Sequence, residues 1–213
     1  MRIEERYAHI LDWFRQHMPS AESELRYDNP YQLLVAVILS AQCTDKRVNM
    51  TTPALFDRFP TPQHMAEADP EEIYPYIKSI SYPNNKAKNL SGMARMLVSE
   101  FGGQVPSDID RLQRLPGVGR KTANLILGDV YHVPGSTVVD THCIRISNRL
   151  GLVDDLKDPV KIEAELRRCL PPEKSSDFCH RIVLHGRAVC TARRPDCAGC
   201  TLRSVCQFAE QQV

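Results

Sequence analysis

Residues 115–123 form a glycine-containing turn sequence, Leu115-Pro116-Gly117-Val118-Gly119-Arg120-Lys121-Thr122-Ala123, or LPGVGRKTA. It joins two segments in which apolar residues recur at helical spacing. Two glycines allow positive φ angles and let the backbone approach a ligand closely. Free N–H groups at the start of the second helix, helped by its dipole, suit a phosphate oxygen. The stretch therefore predicts two helices joined by a turn that can hold a phosphate.

The segments on either side of this turn carry helix signals. After it, Ala123, Ile126, Leu127 and Val130 follow i, i+3, i+4, i+7, which is one apolar stripe of a helix. Before it, Ser107 with Asp110 three residues later resembles a capping box. The same spacing recurs along the chain between prolines, and each proline is expected where an apolar pattern starts or stops. These prolines are Pro19, Pro30, Pro53, Pro60, Pro70, Pro83, Pro106, Pro116, Pro134, Pro159 and Pro171. The sequence predicts an all-α protein of short helices.

Lys121 is the residue of greatest chemical interest in the turn. It falls in the first turn of the second helix, where the helix dipole and the adjacent Arg120 both disfavour its positive charge. A neutral amine is the form that attacks a sugar carbon. A lysine that contacts phosphate or is merely solvated is the open alternative.

A second candidate is the aspartate of Val138-Val139-Asp140-Thr141-His142. Asp140 stands where an N-cap residue would, and this position stabilises an ionised carboxylate. Such a group can stabilise an oxocarbenium-like sugar or relay protons. The alternatives are that Asp140 is only a structural N-cap and that His142 is only a polar residue at the start of the helix.

The eight cysteines are unevenly placed. Cys43, Cys143, Cys169 and Cys179 are scattered, and most of them are expected to be buried thiols. The others, Cys190, Cys197, Cys200 and Cys206, follow C-x6-C-x2-C-x5-C within 17 residues. This crowding favours a metal site over disulfides. Spacing leaves zinc and an iron–sulfur cluster both open, although a single tight pair in one loop suits one cubane.

Charge and hydropathy narrow the class of protein. The chain has 213 residues, with 27 Lys+Arg against 26 Asp+Glu, and this balance excludes a polybasic tail. Twelve basic residues nevertheless fall in three acid-free windows, residues 78–95, 111–128 and 180–194, which predicts a locally positive surface. The longest apolar run, LLVAVIL at 33–39, is far shorter than the roughly 20 residues that span a bilayer. Acidic residues near the N-terminus exclude a signal peptide, so we expect a soluble protein in a reducing compartment.

Five motifs together resemble the endonuclease III family of base-excision DNA glycosylases. They are LPGVGRKTAN, VDTH, the cysteine spacing, LLVAVILSAQCTD at 33–45 and LHGR at 184–187, and the likeness spans residues 30–206. The hairpin motif is also that of helix-hairpin-helix DNA-binding proteins. The resemblance implies two helical domains flanking a DNA-binding cleft. Residues 22–132 would carry the helix-hairpin-helix at about 107–127. Residues 1–21 with 133–213 would carry a [4Fe–4S] cluster on Cys190, Cys197, Cys200 and Cys206.

The resemblance also implies an activity and a set of site residues. Lys121 would be the nucleophile and Asp140 the catalytic carboxylate of a bifunctional glycosylase and abasic-site lyase that removes oxidised pyrimidines. Gln42, in LSAQ, would enter the space left by the extruded base. The cluster would be chiefly structural and would shape its loop. The expected DNA contacts are Gln42, Tyr82, Gly117, Val118, Gly119, Arg120, His142, Arg193 and Arg194.

One departure from the family pattern concerns Tyr82. The family has a sequence like I-G-L-Y-N, with an aliphatic wedge, whereas this chain has Ile80-Ser81-Tyr82-Pro83-Asn84. An aromatic ring can stack in the gap in the duplex. Packing of Tyr82 within a rearranged loop is the alternative.

Two other functions share parts of this pattern, a monofunctional glycosylase and a non-catalytic DNA-binding module. A monofunctional adenine-mismatch glycosylase would carry a catalytic Glu near LSAQ. No acid lies between Asp28 and Asp45, however, and Val37 stands at the matching position. A non-catalytic helix-hairpin-helix module would not need both Lys121 and Asp140. We expect a monomer that binds damaged double-stranded DNA in a bacterial or archaeal cytoplasm, without a membrane.

Overall fold

The computed structural model describes residues 1–21 and 23–211, and all regular structure within these ranges is helical. The all-α prediction is confirmed. Two three-residue 3-10 turns, Pro172–Lys174 and Arg203–Val205, precede the last two α-helices. The α-helices of the described ranges are α1 (Ile3–His17), α2 (Pro30–Ser40), α3 (Asp45–Arg58), α4 (Pro62–Glu67), α5 (Pro70–Ile77), α6 (Pro83–Phe101), α7 (Ile109–Arg114), α8 (Arg120–Asp129), α9 (Thr141–Leu150), α10 (Pro159–Cys169), α11 (Ser175–Ala188) and α12 (Gln207–Glu210).

Several helices begin at a side-chain acceptor followed by proline. The Asn29 side chain accepts the Gln32 N–H ahead of Pro30. Asp158 does the same ahead of Pro159, where its carboxylate accepts the Val160 N–H at 2.8 Å. Such caps contribute about 1 kcal/mol each, and proline has no N–H to leave unsatisfied at a first helical position.

Two expectations about helix boundaries are wrong. Asp108, not Ser107, is the N-cap of α7, and its side chain accepts the Arg111 N–H at 2.9 Å. An ionised acceptor at a helix N-terminus is stabilised by the dipole, which favours the aspartate. Pro53 lies inside α3 rather than at an end. Burial of Val48 and Leu55 on that helix keeps it continuous, because tertiary packing overrides local propensity.

The chain divides into two units, and the continuous one is Ser23–Tyr131. Its core surrounds α2, in which every residue of LLVAVIL at 33–39 is buried. A helix that is apolar on all sides must be enclosed by protein, and α3, α6 and α8 contact it. Each fully buried Leu or Ile contributes roughly 1.5–3 kcal/mol. The helices around α2 are therefore firmly held, α8 among them.

The discontinuous unit consists of Met1–Glu22 and His132–Val213. Within it, α1 buries Tyr7, Ile10 and Phe14. The Phe14 ring meets the Phe178 ring of α11 edge-on, with 5.8 Å between centroids. The Arg181 Nε–H donates to the Met18 carbonyl at 2.8 Å, across 163 residues of sequence. The first helix is thus stabilised by the last third of the chain.

A membrane span would need a helix that is both long and apolar. Within residues 1–21 and 23–211, no helix meets that condition.

Candidate active site

The hairpin is formed by α7, a tight turn and α8. Leu115 and Val118 are buried and anchor the turn to the core of the continuous unit. Gly117 has φ +82°, and a Cβ there would lie 3.1 Å from the Asn89 side chain of α6, so both the backbone and the close packing require glycine. Gly119, the N-cap of α8, has no side chain that could accept a hydrogen bond from the first turn. This is the arrangement that the predicted phosphate contact at the start of α8 requires.

Lys121 lies in the first turn of α8 and is exposed. The opposite face of this helix is buried through Ala123, Ile126 and Leu127, as the apolar stripe predicted. A lysine carried by a helix that the core holds in place has a fixed backbone and a side chain open to solvent. This suits a nucleophile that must reach an incoming substrate.

Two loops of the same unit bring Gln42 and Tyr82 together. The Gln42 loop, residues 41–44, follows α2, and the Tyr82 turn, residues 80–82, precedes α6. Both residues have positive φ angles, 53° and 55°, which non-glycine residues seldom adopt. The Ser81 hydroxyl donates to the Gln42 carbonyl at 2.7 Å. Tyr82 is 62% exposed, so its ring is not packed within a rearranged loop.

One helix connects the Tyr82 turn to the hairpin. Tyr82 is the N-cap of α6, and farther along that helix Asn89 and Gly92 approach the hairpin at Gly117 and Pro116. A Cβ on Gly92 would lie 3.2 Å from the Pro116 ring. With a rise of about 1.5 Å per residue, α6 fixes the spacing between the two features at roughly 10 Å along its axis.

Asp140 belongs to the discontinuous unit, whereas Lys121 belongs to the continuous one. As its sequence position predicted, Asp140 is the N-cap of α9, and its Oδ1 accepts the Cys143 N–H at 2.8 Å. The carboxylate is half-buried and retains a second oxygen for another partner. His142 lies in the first turn of α9, with its Nδ1 3.2 Å from an Arg145 guanidinium nitrogen.

All four C-terminal cysteines line one pocket, here called the thiol pocket. Arg149, His185 and Phe208 also line it. Within residues 1–21 and 23–211, no three Cys, His, Asp or Glu side chains converge closely enough to hold a single ion. A zinc site needs four ligands meeting about 2.0–2.3 Å from one point, whereas a cubane fills a hollow and takes one thiolate at each iron. Four thiol donors around one pocket therefore fit a group that takes four separate thiolates, as a cubane does.

Hydrogen bonds surround the thiols. Burial raises the pKa of the Cys200 and Cys206 thiols, so their anionic forms need a compensating positive charge. The Arg149 guanidinium donates to Cys190 Sγ at 3.4 Å, and Cys206 Sγ donates to the Arg149 carbonyl at 3.3 Å. His185 Nε2 lies 3.9 Å from Cys200 Sγ, and burial lowers the pKa of this histidine.

Arg193 and Arg194 are exposed in the loop between the first two cysteines. Arg149 holds the start of this loop by donating to the carbonyls of Thr191 and Ala192 at 2.8 and 2.9 Å. The Thr191 hydroxyl donates to the Arg194 carbonyl at 2.6 Å. The backbone of the loop is thus fixed while both guanidinium groups face solvent.

The charge windows contribute less positive surface than the sequence predicted. Lys86 is buried, and Arg95, Arg114 and Arg181 form ion pairs with carboxylates. These four belong to the twelve basic residues of the three windows. The loss is greatest in residues 78–95, where Lys78 and Lys88 are the exposed lysines.

Sequence reasoning missed four residues that shape the site: Ser81, Lys86, Arg149 and Trp13. The Trp13 indole N–H donates to the Thr201 hydroxyl at 2.9 Å, and its ring meets His185 edge-on. Each of the four acts on a residue at least 39 positions away in the sequence. No local pattern carries such a signal.

The position that would hold a glutamate in an adenine-mismatch enzyme is apolar and enclosed. Val37 lies in α2 and is 7% exposed. No carboxylate can act from this position.

Comparisons with known proteins identify the family. Residues 35–172 match the HhH-GPD superfamily of base excision DNA repair proteins. Endonuclease III of Synechocystis sp. is 45% identical over 206 residues, which cover 97% of this chain and 94% of the relative. Endonuclease III of Escherichia coli K12 is 39% identical and covers 95% of both chains.

Solved structures give the same result. A trapped endonuclease III–DNA covalent intermediate matches with a TM-score of 0.93 at 38% identity and covers 100% of this chain and 99% of that one. A thermostable thymine-DNA glycosylase shares the fold, with a TM-score of 0.85 at 22% identity. Identity of this extent over almost the whole length shows that the chain belongs to the endonuclease III family, the bifunctional DNA glycosylases and abasic-site lyases of the HhH-GPD superfamily.

Proposed function

We propose that this enzyme removes oxidised pyrimidines from duplex DNA by attack of Lys121 on the sugar and then cleaves the strand at the resulting abasic site. The observation that carries the proposal is the exposed amine of Lys121 in the first turn of α8, beside helix N–H groups without a side-chain cap. Phosphate bound at those N–H groups would hold the damaged strand against the amine.

The damaged nucleotide must leave the base stack before it can be attacked. The exposed Tyr82 ring is suited to stack in the opened step, and the exposed Gln42 amide to form hydrogen bonds with the base left behind. Gln42 and Tyr82 are therefore assigned to the duplex, and Lys121 to the extruded sugar.

The chemistry then proceeds on one covalent intermediate. The neutral Lys121 amine forms a bond to C1′ while the bond from C1′ to the base breaks and the departing base gains a proton. Opening of the sugar ring gives an imine. Loss of a C2′ proton breaks the bond from C3′ to the 3′ phosphate, and hydrolysis of the imine returns free Lys121.

Asp140 is assigned to the same reaction as the catalytic carboxylate. Its ionised form is supported by the N-cap hydrogen bond and by the dipole of α9. An ionised carboxylate stabilises positive charge that develops on the sugar as the base leaves, and it is suited to relay the protons of the imine steps.

Cys190, Cys197, Cys200 and Cys206 are assigned to a [4Fe–4S] cluster, supported by the single pocket that all four line. The bound group supplies covalent cross-links that shape the segment, rather than a step of the reaction. Arg149 holds the loop that carries Arg193 and Arg194, so that both guanidinium groups can face phosphates.

The assigned DNA contacts are Arg193 and Arg194, together with His142 and the hairpin residues Gly117, Val118, Gly119 and Arg120. All of these groups belong to one chain, so a monomer is proposed as the active form.

Borohydride trapping tests the nucleophile. Reduction of the imine should give a covalent complex with duplex DNA that carries an oxidised pyrimidine, and Lys121→Gln should abolish it. Lys161→Gln is the matched control, because Lys161 is an exposed lysine of α10 with no assigned role. An undiminished adduct in Lys121→Gln would contradict the assignment.

The same assay separates the alternatives when it is run across a panel of lesions. A duplex with adenine opposite oxidised guanine should give no adduct. Excision of that adenine without trapping would instead support the monofunctional activity. Binding without excision of any base would support a non-catalytic module.

A further inference from the structure

The Gln42 loop and the Tyr82 turn are joined by side chains from the second segment to carbonyls of the first. The Ser81 hydroxyl donates to the Gln42 carbonyl at 2.7 Å. The Lys86 ammonium donates to the carbonyls of Leu39 and Ala41 at 2.8 and 2.6 Å. These three hydrogen bonds, from two side chains to three carbonyls, are here called the junction; they connect residues that are 39 to 47 positions apart in sequence.

The backbone on each side of this junction has an unfavourable conformation. Gln42 and Tyr82 have φ angles of 53° and 55°, and neither is a glycine. Left-handed conformations of this kind persist only where surrounding contacts hold them, and they concentrate at functional sites. The Ser81 hydroxyl precedes one of these residues and binds the carbonyl of the other. The hydrogen bond therefore links Gln42 to the residue that directly precedes Tyr82.

Lys86 anchors the junction to the C-terminal end of α2. It is 5% exposed, and burial lowers the pKa of its ammonium group. Its two acceptors belong to the C-terminal end of α2, where helix carbonyls lack intrahelical partners and the dipole favours a cation. The buried charge is thereby compensated, and α6 is tied to the most buried helix of the unit. The other donor, the half-exposed Ser81, is adjacent to Tyr82 in the sequence and binds the carbonyl of Gln42 itself.

We propose that Ser81 is a positioning residue for base excision: its hydroxyl holds the Gln42 backbone beside Tyr82, so that both side chains enter the duplex as one preorganised unit. The inference rests on the duplex roles proposed above for Gln42 and Tyr82. Both side chains are exposed while their backbones are fixed, so binding has less loop entropy to overcome. Without Ser81, the Gln42 loop would have to be ordered in each encounter with DNA.

The chain offers a matched control for this test. Ser79 lies two residues before Ser81 and has a different partner, with its hydroxyl 3.3 Å from that of Thr51 in α3. Ser79→Ala removes a hydrogen-bonded serine hydroxyl close to Ser81 in the sequence but leaves the Gln42 carbonyl bound. A general loosening of the region would affect both variants, whereas the proposed role affects only one.

The first measurement needs no DNA. Hydrogen–deuterium exchange of the free protein should be faster at the amides of residues 41–44 in Ser81→Ala, and unchanged there in Ser79→Ala and in Ser81→Thr, which retains the hydroxyl. Equal exchange in Ser81→Ala and the unsubstituted protein would overturn the proposal, whatever the enzyme's substrate.

The second measurement is single-turnover excision of an oxidised pyrimidine from duplex DNA. Ser81→Ala should slow excision roughly five-fold, the size expected for one net hydrogen bond, with Ser81→Thr near normal. In a Gln42→Ala, Tyr82→Ala background, the same substitution should have no further effect, because the side chains that it positions are gone. An undiminished five-fold loss in that background would overturn the positioning role. Loss of trapping in the unsubstituted enzyme would contradict the proposed function instead, and the exchange result does not depend on it.

Discussion

The continuous unit and the thiol pocket of the discontinuous unit reach a defined shape by different means. Around α2, seven consecutive apolar residues are buried, and three other helices enclose them. In residues 190–206, by contrast, Leu202 and Val205 are the buried residues, and a three-residue 3-10 turn is the regular element. Apolar burial makes the main stabilising contribution in the first region, whereas the second buries too little apolar surface to hold its own loop.

This difference separates two requirements of the enzyme. Lys121 is mounted on α8, which the α2 core holds, so its backbone position depends on packing. Arg193 and Arg194 are mounted on a segment held by hydrogen bonds from Arg149 and by the cluster proposed at the four thiols. We therefore expect the positions of Lys121, the proposed nucleophile, and of the loop arginines to be disrupted under different conditions.

Removal of the cluster should give the largest effect and acts on one region alone. Iron chelation or Cys200→Ser should abolish the brown colour and the visible absorbance. Hydrogen exchange should then rise strongly in residues 190–206 and remain slow in residues 33–39, because the α2 core needs no metal. Cys169→Ser, at a half-buried thiol outside the pocket, is the control. A colourless preparation that holds stoichiometric zinc would contradict the cluster assignment.

A cavity in the α2 core is the reciprocal test. Leu34→Ala should reduce the free energy of unfolding by about 2–5 kcal/mol, because Leu34 is fully buried. Chemical denaturation followed by circular dichroism would measure the loss, with the more exposed Val98→Ala as control. The visible absorbance of the cluster should be unchanged while the protein remains folded. Loss of absorbance under those conditions would show that the two regions are not independent.

Trp13 allows a finer test of the contacts that surround the thiol pocket. It is the single tryptophan of the chain, it donates to Thr201 at 2.9 Å, and its ring meets His185. Trp13→Phe removes this hydrogen bond, worth about 0.5–1.5 kcal/mol, but keeps an aromatic ring. The cluster absorbance should therefore fade faster in air, by several-fold. A Tyr74→Phe variant, altered at an exposed aromatic residue of the other unit, should fade at the normal rate.

The smallest expected effect concerns the salt dependence of DNA binding. Arg193→Ala and Arg194→Ala should each weaken binding for all sequences and reduce the slope of log K against log salt by about one, if each residue contacts one phosphate. Arg15→Ala, at an exposed arginine paired with Asp12, should leave the slope unchanged. An unchanged slope in both loop variants would assign phosphate binding to the hairpin unit alone.

Local chemistry decided how much of this structure the sequence could predict. The hairpin glycines, the Asp140 cap and the cysteine spacing are short-range patterns, and the helix start at Asp140 and the pocket of four thiols follow them. The interior Pro53 was not predictable, because the packing of α3 that tolerates it comes from other helices.

The junction between Ser81 and Gln42 shows the other limit of sequence reasoning. The two residues are 39 positions apart, and both positive φ angles depend on their neighbours in space rather than in sequence. Lys86 was counted with the surface charges, since the carbonyls that allow its burial lie at the end of a distant helix. A charge map of the sequence therefore overestimated the positive surface of this segment.

The packing of α1 against α11 has a consequence for synthesis of the protein. When the last residue of α1 is translated, its partner Phe178 is still more than 150 residues farther along the chain, a delay of about ten to thirty seconds at usual rates. The residues of the continuous unit are translated within that interval. During it, the apolar face of Tyr7, Ile10 and Phe14 has no native partner and is open to chaperones. The order of emergence thus delays the discontinuous unit until almost the whole chain has been made.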